Sequence, residues 1–203
     1  NTNMMLGMRM GGCNILIANP RDIAGTLKEL SAHKFHSFPA VNTLFNAMVN
    51  HPDFSTVDWS SLKISVGGGM AVQSATAKQW LEKTGCPIVE GYGLSETSPS
   101  ATCNPVDSTA YSGNIGLPMP GVSLKFVPNA GKLEMRVKGD NVFPGYRHND
   151  AATREAFDED GYYRIGDAGY LQDADDPLQG VVFNGRVAED FKLTSGTWVS
   201  VGM

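Results

Sequence analysis

Two apolar runs end in glycine, and one helical segment lies between them: LKISVGGG at residues 62–69 and PIVEGYG at 87–93. LKISV and PIV have the length and branching of buried strands. Residues 73–83 carry Ala77 and Trp80 or Leu81 at the spacing of a helix with one inward face. A strand, a helix and a second strand point to parallel pairing, because parallel neighbours need a long return connection. The same alternation holds upstream. CNILIA at 13–18 reads as a short buried strand, after which Asn19, Pro20 and Asp22 supply helix-start chemistry. Ile23, Leu27 and Leu30 then share one helical face. Residues 33–38 are extended, and Val41, Leu44, Phe45 and Met48 mark another amphipathic helix. The front of the chain is therefore expected to be α/β, with a mainly parallel sheet covered by helices.

The pattern changes near residue 112. VSLKFV and KLEMRVK alternate around the turn PNAGK, a hairpin signature. DAATREAF is a brief helix, and YYRIGDAGYL and GVVFNGRV are further strands divided by the polar loop QDADDP. A β-rich part is expected to follow the α/β part, with the boundary within residues 112–123. With 203 residues, 41% hydrophobic and 18% charged, the chain has the material for an ordinary globular core. The net charge of −5 and the lack of a Lys/Arg block give no electrostatic reason to expect nucleic acid or an anionic membrane as partner. Cys13, Cys86 and Cys103 are odd in number and widely spaced, so neither a disulfide framework nor a zinc site is expected, and a reduced cytoplasm is the natural compartment. Near the start, Arg9, Gly11 and Gly12 interrupt the apolar run, which fits neither a signal peptide nor a membrane span. The chain begins without methionine and ends in the strand-like TWVSVGM, so it reads as an internal piece of a longer protein. Nothing in the pattern indicates an oligomeric state.

Four places can carry chemistry. SVGGGMA puts three glycines at a strand end, where they either form a tight turn or let a flat ligand approach the backbone. GYGLSET ends the next strand, and in open α/β sheets ligands bind beyond the carboxyl ends of the strands. There Tyr92 can stack on a heterocycle, Ser95 and Thr97 can donate to phosphate, and Glu96 can help hold Mg²⁺. The alternative is a capped loop with a solvated glutamate. Asp167 in YYRIGDAGY is either a turn residue or an acceptor for a sugar diol. Arg186, followed by Glu189, Asp190 and Lys192, is either a charged turn or part of a site.

Taken in order, GGGMAV, EGYGLSET, YRIGDAG and GR followed by acids and Lys192 strongly resemble the adenylate-forming acyl-CoA synthetase (acyl-CoA ligase) superfamily. The resemblance covers essentially the whole chain. The front part is similar to bacterial long-chain fatty-acid CoA ligases, and the back part, from VPNAGKLEMRVKGDNVFPGY onward, is similar to feruloyl-CoA synthetases. The seam falls where the pattern changes. The resemblance implies the large N-terminal domain of the adenylate-forming fold, with an α/β part at 1–111, a β-rich part at 112–185, and a hinge and truncated lid at 186–203. It implies an AMP-forming ligase acting on a fatty or arylpropenoic acid, with ATP/AMP, Mg²⁺ and coenzyme A. Gly67, Gly68, Gly69 and Met70 would lie along the adenine and the acyl entrance, and Gly91 and Tyr92 would complete the adenine slot. Ser95 stands where the family usually has threonine on the α-phosphate, and Thr97 joins it on the phosphate side. Glu96 would be the Mg²⁺ ligand, Asp167 would accept both ribose hydroxyls, and Arg186 would contact ribose or phosphate. Three departures stand out. The family's phosphate loop and its lid lysine are absent, and Ala188 occupies a hinge position that is commonly Asp or Lys. The fragment alone is therefore expected to be inactive. The alternatives are an adenylating enzyme that loads a carrier protein, and a non-catalytic nucleotide- or partner-binding module.

Overall fold

The computed structural model describes residues 2–98, 100–105, 113–188, 190–192 and 198–200. The described residues fall into two compact units that divide between Glu90 and Gly91. Residues 106–112, next to the change in sequence pattern, lie outside the described residues.

The first unit is α/β. Its helices are α1 (Thr2–Arg9), α2 (Ile23–Ser31), α3 (Asn42–Val49) and α4 (Ser74–Thr84). Its strands are β1 (Ser37–Ala40), β2 (Ile64–Gly67) and the first part of β3 (Ile88–Tyr92). β1 pairs parallel with β2, and β2 parallel with β3, in the register Ser65↔Ile88 to Gly67↔Glu90. α4 is the crossover that parallel pairing requires. It ends at Gly85, whose φ of +71° is the left-handed cap that glycine adopts without steric cost. Asp22 caps α2 by accepting from the Gly25 amide at 2.9 Å, which is the start chemistry expected from the sequence.

One expectation fails. CNILIA forms no strand: residues 13–18 are irregular, with Leu16 turned outward while Ile15 and Ile17 pack on the core. The apolar run placed Ile15 and Ile17 on the core but met no neighbouring backbone for a ladder. The choice between Trp80 and Leu81 is also resolved. Trp80 is fully buried and Leu81 is 46% exposed. The Trp80 ring stacks on Phe38 at 5.7 Å and meets Phe45 edge-on at 4.7 Å, while its Nε1 donates to Ser65 Oγ at 2.9 Å. The indole therefore satisfies its one polar group while filling the space between α4, α3 and the strands.

The second unit is mostly antiparallel. The end of β3 pairs with β4 (Thr102–Cys103), and β4 with β5 (Asn114–Pro118). β5 pairs with β9 (Val181–Arg186), and β9 with β8 (Tyr163–Leu171). β8 pairs with β7 (Lys132–Lys138), and β7 with β6 (Ser123–Asn129). The β6–β7 hairpin turns through Ala130 and Gly131, both at positive φ, as a two-residue turn that matches strand twist requires. Helix α5 (Asp150–Ala156) is capped by Asn149, and β10 (Asp190–Lys192) pairs antiparallel with β11 (Trp198–Ser200). Met135, Val137, Tyr163, Ile165 and Val181 form the core. No described helix is long and apolar enough to cross a membrane.

Candidate active site

In the first unit β2 runs into the triple-glycine turn. A Cβ on Gly67 would come within 2.5 Å of Val72 Cγ2, and Gly69 holds φ +80°, so a packing constraint and a backbone constraint select two of the three glycines. The Gly68 amide donates to Ala40 O at 3.3 Å, and Met70 is exposed. The turn then enters α4 through two side-chain oxygens. Glu90 Oε2 accepts from the Val72 amide at 3.0 Å, and Asn42 Oδ1 accepts from the Gln73 amide at 2.9 Å. Burial pushes the Glu90 carboxyl above the usual range, and the Val72 hydrogen bond opposes that shift. The sequence reading missed both residues. An acid inside the apolar run PIVEGYG was the available signal for Glu90.

The second unit holds Gly91, Tyr92, Ser95, Glu96, Thr97, Asp167 and Arg186. Gly91 pairs with Cys103 in the sheet. Asp167 and Arg186 face each other in the β8–β9 register, beside an irregularity between Asp167 and Gly169. Asp167 is buried, accepts from the Tyr92 hydroxyl at 2.5 Å through Oδ2, and lies 3.5 Å from Arg186 Nε through Oδ1. Arg186 leaves 62% of its side chain exposed. Burial and the Asp167 charge push the Tyr92 phenol well above its ordinary range, so it is a fixed donor. Three of the residues singled out in the sequence thus form one cluster.

Ser95 to Thr97 make a single 3₁₀ turn after β3. Ser95 is exposed and Glu96 is half-buried. Thr97 is fully buried, and its hydroxyl oxygen accepts from the Leu94 amide at 2.9 Å, which ties the turn to its own start. Glu96 Oε1 accepts from the Tyr146 hydroxyl at 3.2 Å. Among the described residues no group of three or more His, Cys, Asp or Glu side chains could hold a metal ion. A lone half-buried carboxylate fits Mg²⁺ of the kind held by one or two carboxylates plus substrate phosphates and waters.

Comparison with known proteins shows the family. A family model described as AMP-binding enzyme matches residues 1–147. The chain belongs to the AMP-binding enzyme family. It is 44% identical over 172 residues to the long-chain-fatty-acid–CoA ligase of Haemophilus influenzae, a match that takes in 81% of the chain and 30% of that protein. The chain thus spans under a third of the length of that relative. Among solved structures, the anthranilate CoA ligase AuaEII in complex with anthranoyl-AMP superposes with a TM-score of 0.79 at 26% identity, covering 93% of the chain and 36% of the ligase. ATP-bound MatB from Rhodopseudomonas palustris gives a TM-score of 0.73 at 27% identity, covering 88% of the chain and 36% of MatB. The mixed α/β class expected of this AMP-binding family member is the class these neighbours share.

Proposed function

We propose that this AMP-binding family chain is part of an AMP-forming acyl-CoA ligase that activates a fatty or arylpropenoic acid with ATP and passes the acyl group to coenzyme A. A carboxylate oxygen of the acid attacks the α-phosphorus of ATP and pyrophosphate leaves. The coenzyme A sulfur then attacks the acyl carbon and AMP leaves. The first step is needed because a carboxylate is a poor electrophile and AMP a good leaving group.

The observation that supports this most is the Tyr92–Asp167–Arg186 cluster in the same unit as the Glu96 turn. An ionised carboxylate has about four acceptor sites, so Asp167 can take ribose hydroxyls while keeping its bonds to Tyr92 and Arg186. Arg186, largely exposed, supplies a guanidinium for ribose or phosphate. The exposed Ser95 hydroxyl donates to the α-phosphate, and the buried Thr97 holds the turn that presents it. Glu96 would hold Mg²⁺, which supplies charge neutralisation at the phosphates. Preorganised donors and charges around the phosphorus carry most of such catalysis. The adenine and acyl-entrance roles of Gly67, Gly68, Gly69 and Met70, and the adenine role of Gly91 and Tyr92, belong to this proposal. So do the assignments of 1–111 and 112–185 to the large domain and of 186–203 to the hinge and lid. The three free cysteines fit a cytoplasmic setting.

The test is ATP–pyrophosphate exchange by a full-length protein carrying this segment, across fatty and aromatic acids. Exchange with at least one class is expected, followed by acyl transfer to coenzyme A. Exchange with none ends the proposal. Transfer to a carrier-protein thiol but not to coenzyme A replaces it with a carrier-loading enzyme.

A further inference from the structure

Glu96 sits on a turn of three residues, too short to fix a long side chain by its own hydrogen bonds. The segment GDNVFPGY, residues 139–146, straps that turn. The Phe143 amide donates to Glu96 O at 2.8 Å. Asn141 Nδ2 donates to the carbonyls of Thr97 at 2.7 Å and Ser100 at 2.9 Å. These contacts hold the backbone, and Tyr146 reaches the carboxylate itself at 3.2 Å.

Tyr146 is held in turn. Its amide donates to Thr153 Oγ1 at 2.9 Å, and its ring meets Phe143 at 4.7 Å with a 64° tilt. Its hydroxyl lies 3.4 Å from that of the buried Tyr163. The proton order follows from the chemistry of the groups. A phenol carries one proton, and an ionised carboxylate only accepts, so the Tyr146 hydroxyl donates its hydrogen bond to Glu96. Tyr146 then accepts from Tyr163, whose phenol is held protonated by burial, by its bond to Tyr146 and by the Glu96 charge. The hydrogen bonds run one way, from Tyr163 through Tyr146 to Glu96 Oε1. Among the described residues Oε2 takes no hydrogen bond.

We infer that Tyr146 is a positioning residue: it fixes one oxygen of Glu96 so that the other is presented to a divalent cation, with Tyr163 bracing it from behind. The inference rests on the reading of Glu96 as the metal carboxylate. Fixing the glutamate in the free protein removes ordering that cation binding would otherwise have to supply.

The experiment measures Mn²⁺ affinity by electron paramagnetic resonance in the full-length protein with a non-hydrolysable ATP analogue. The proteins compared are wild type, Tyr146→Phe, Tyr163→Phe, Glu96→Gln and the Tyr146→Phe/Glu96→Gln pair. Tyr146→Phe should weaken Mn²⁺ about five- to tenfold, within the net worth of one ordinary protein hydrogen bond, and Tyr163→Phe should weaken it about twofold. Metal-free AMP affinity of Tyr146→Phe and of Tyr163→Phe should stay at the wild-type value. Tyr146→Phe should add nothing in the Glu96→Gln background, since its effect passes through that carboxylate. If Glu96→Gln weakens Mn²⁺ and Tyr146→Phe does not, the inference falls and the role of Glu96 stands. If neither changes Mn²⁺ affinity, both fall. An equal loss from Tyr146→Phe with and without Glu96 makes Tyr146 merely structural and also overturns the inference.

Discussion

Glu90 and Asp167 are both acids set into strand-like runs, yet they do different work. Asp167 is paired on each oxygen, with Tyr92 and Arg186, whereas Glu90 caps an amide at the entry to α4. The difference gives a pH signature. Burial raises the Glu90 carboxyl, so the folded protein holds that proton to a higher pH than the unfolded chain does. The stability linked to this group is complete below the unfolded value and declines as pH rises through the raised folded value. Glu90→Gln keeps an acceptor for the Val72 amide and removes the titration. Its unfolding free energy should equal or exceed that of wild type at neutral pH, with a flatter profile across the weakly acidic range. Denaturant unfolding at a series of pH values checks this, and an unchanged profile would contradict it. Asp167 was legible in the sequence because small residues isolate it in GDAG. The link between Tyr146 and Glu96 was not, because no local spacing joins residues so far apart.

Elements follow from their own residues where a cap or turn is local. The Asp22 cap, the Gly85 terminus and the Ala130–Gly131 hairpin turn all lie where turn chemistry puts them. α4 depends on more than its own residues, because its single large buried side chain is Trp80. Trp80 meets Phe38, Phe45, Phe54 and Trp59 with ring centroids between 4.7 and 5.7 Å apart. Trp80→Ala should cost about 3–5 kcal/mol, through lost burial and the cavity left behind. It also strips Ser65 Oγ of its donor. Leu81→Ala, on the exposed side of the same helix, should cost under about 1 kcal/mol. Calorimetry of the two variants separates them, and similar losses would show that the core does not centre on this indole.

At the scale of the molecule, the chain covers 30% of the Haemophilus influenzae relative and 36% of either structural neighbour. The proposed function, through the acyl-CoA ligase resemblance, implies a phosphate loop and a lid lysine that the 203-residue sequence lacks. The chain alone should therefore form no coenzyme A thioester, while a full-length protein carrying it should. A thioester assay on both proteins decides this, and turnover by the 203-residue chain would show that the residues described here suffice.

Sequence alone determined the helix and strand types along most of the chain, the glycine turns, and the ordered set of motifs that carries the family likeness. Those properties depend on periodicity and on backbone angles, which neighbouring residues set among themselves. The tertiary structure decided the rest. It left CNILIA without a ladder and turned Trp80 rather than Leu81 inward. It tied Thr97 to Leu94, gave Val72 its acceptor in Glu90, and brought the Tyr146 hydroxyl to Glu96. Burial and hydrogen-bond pairing depend on which distant groups arrive at the same place, and only the folded chain brings them there.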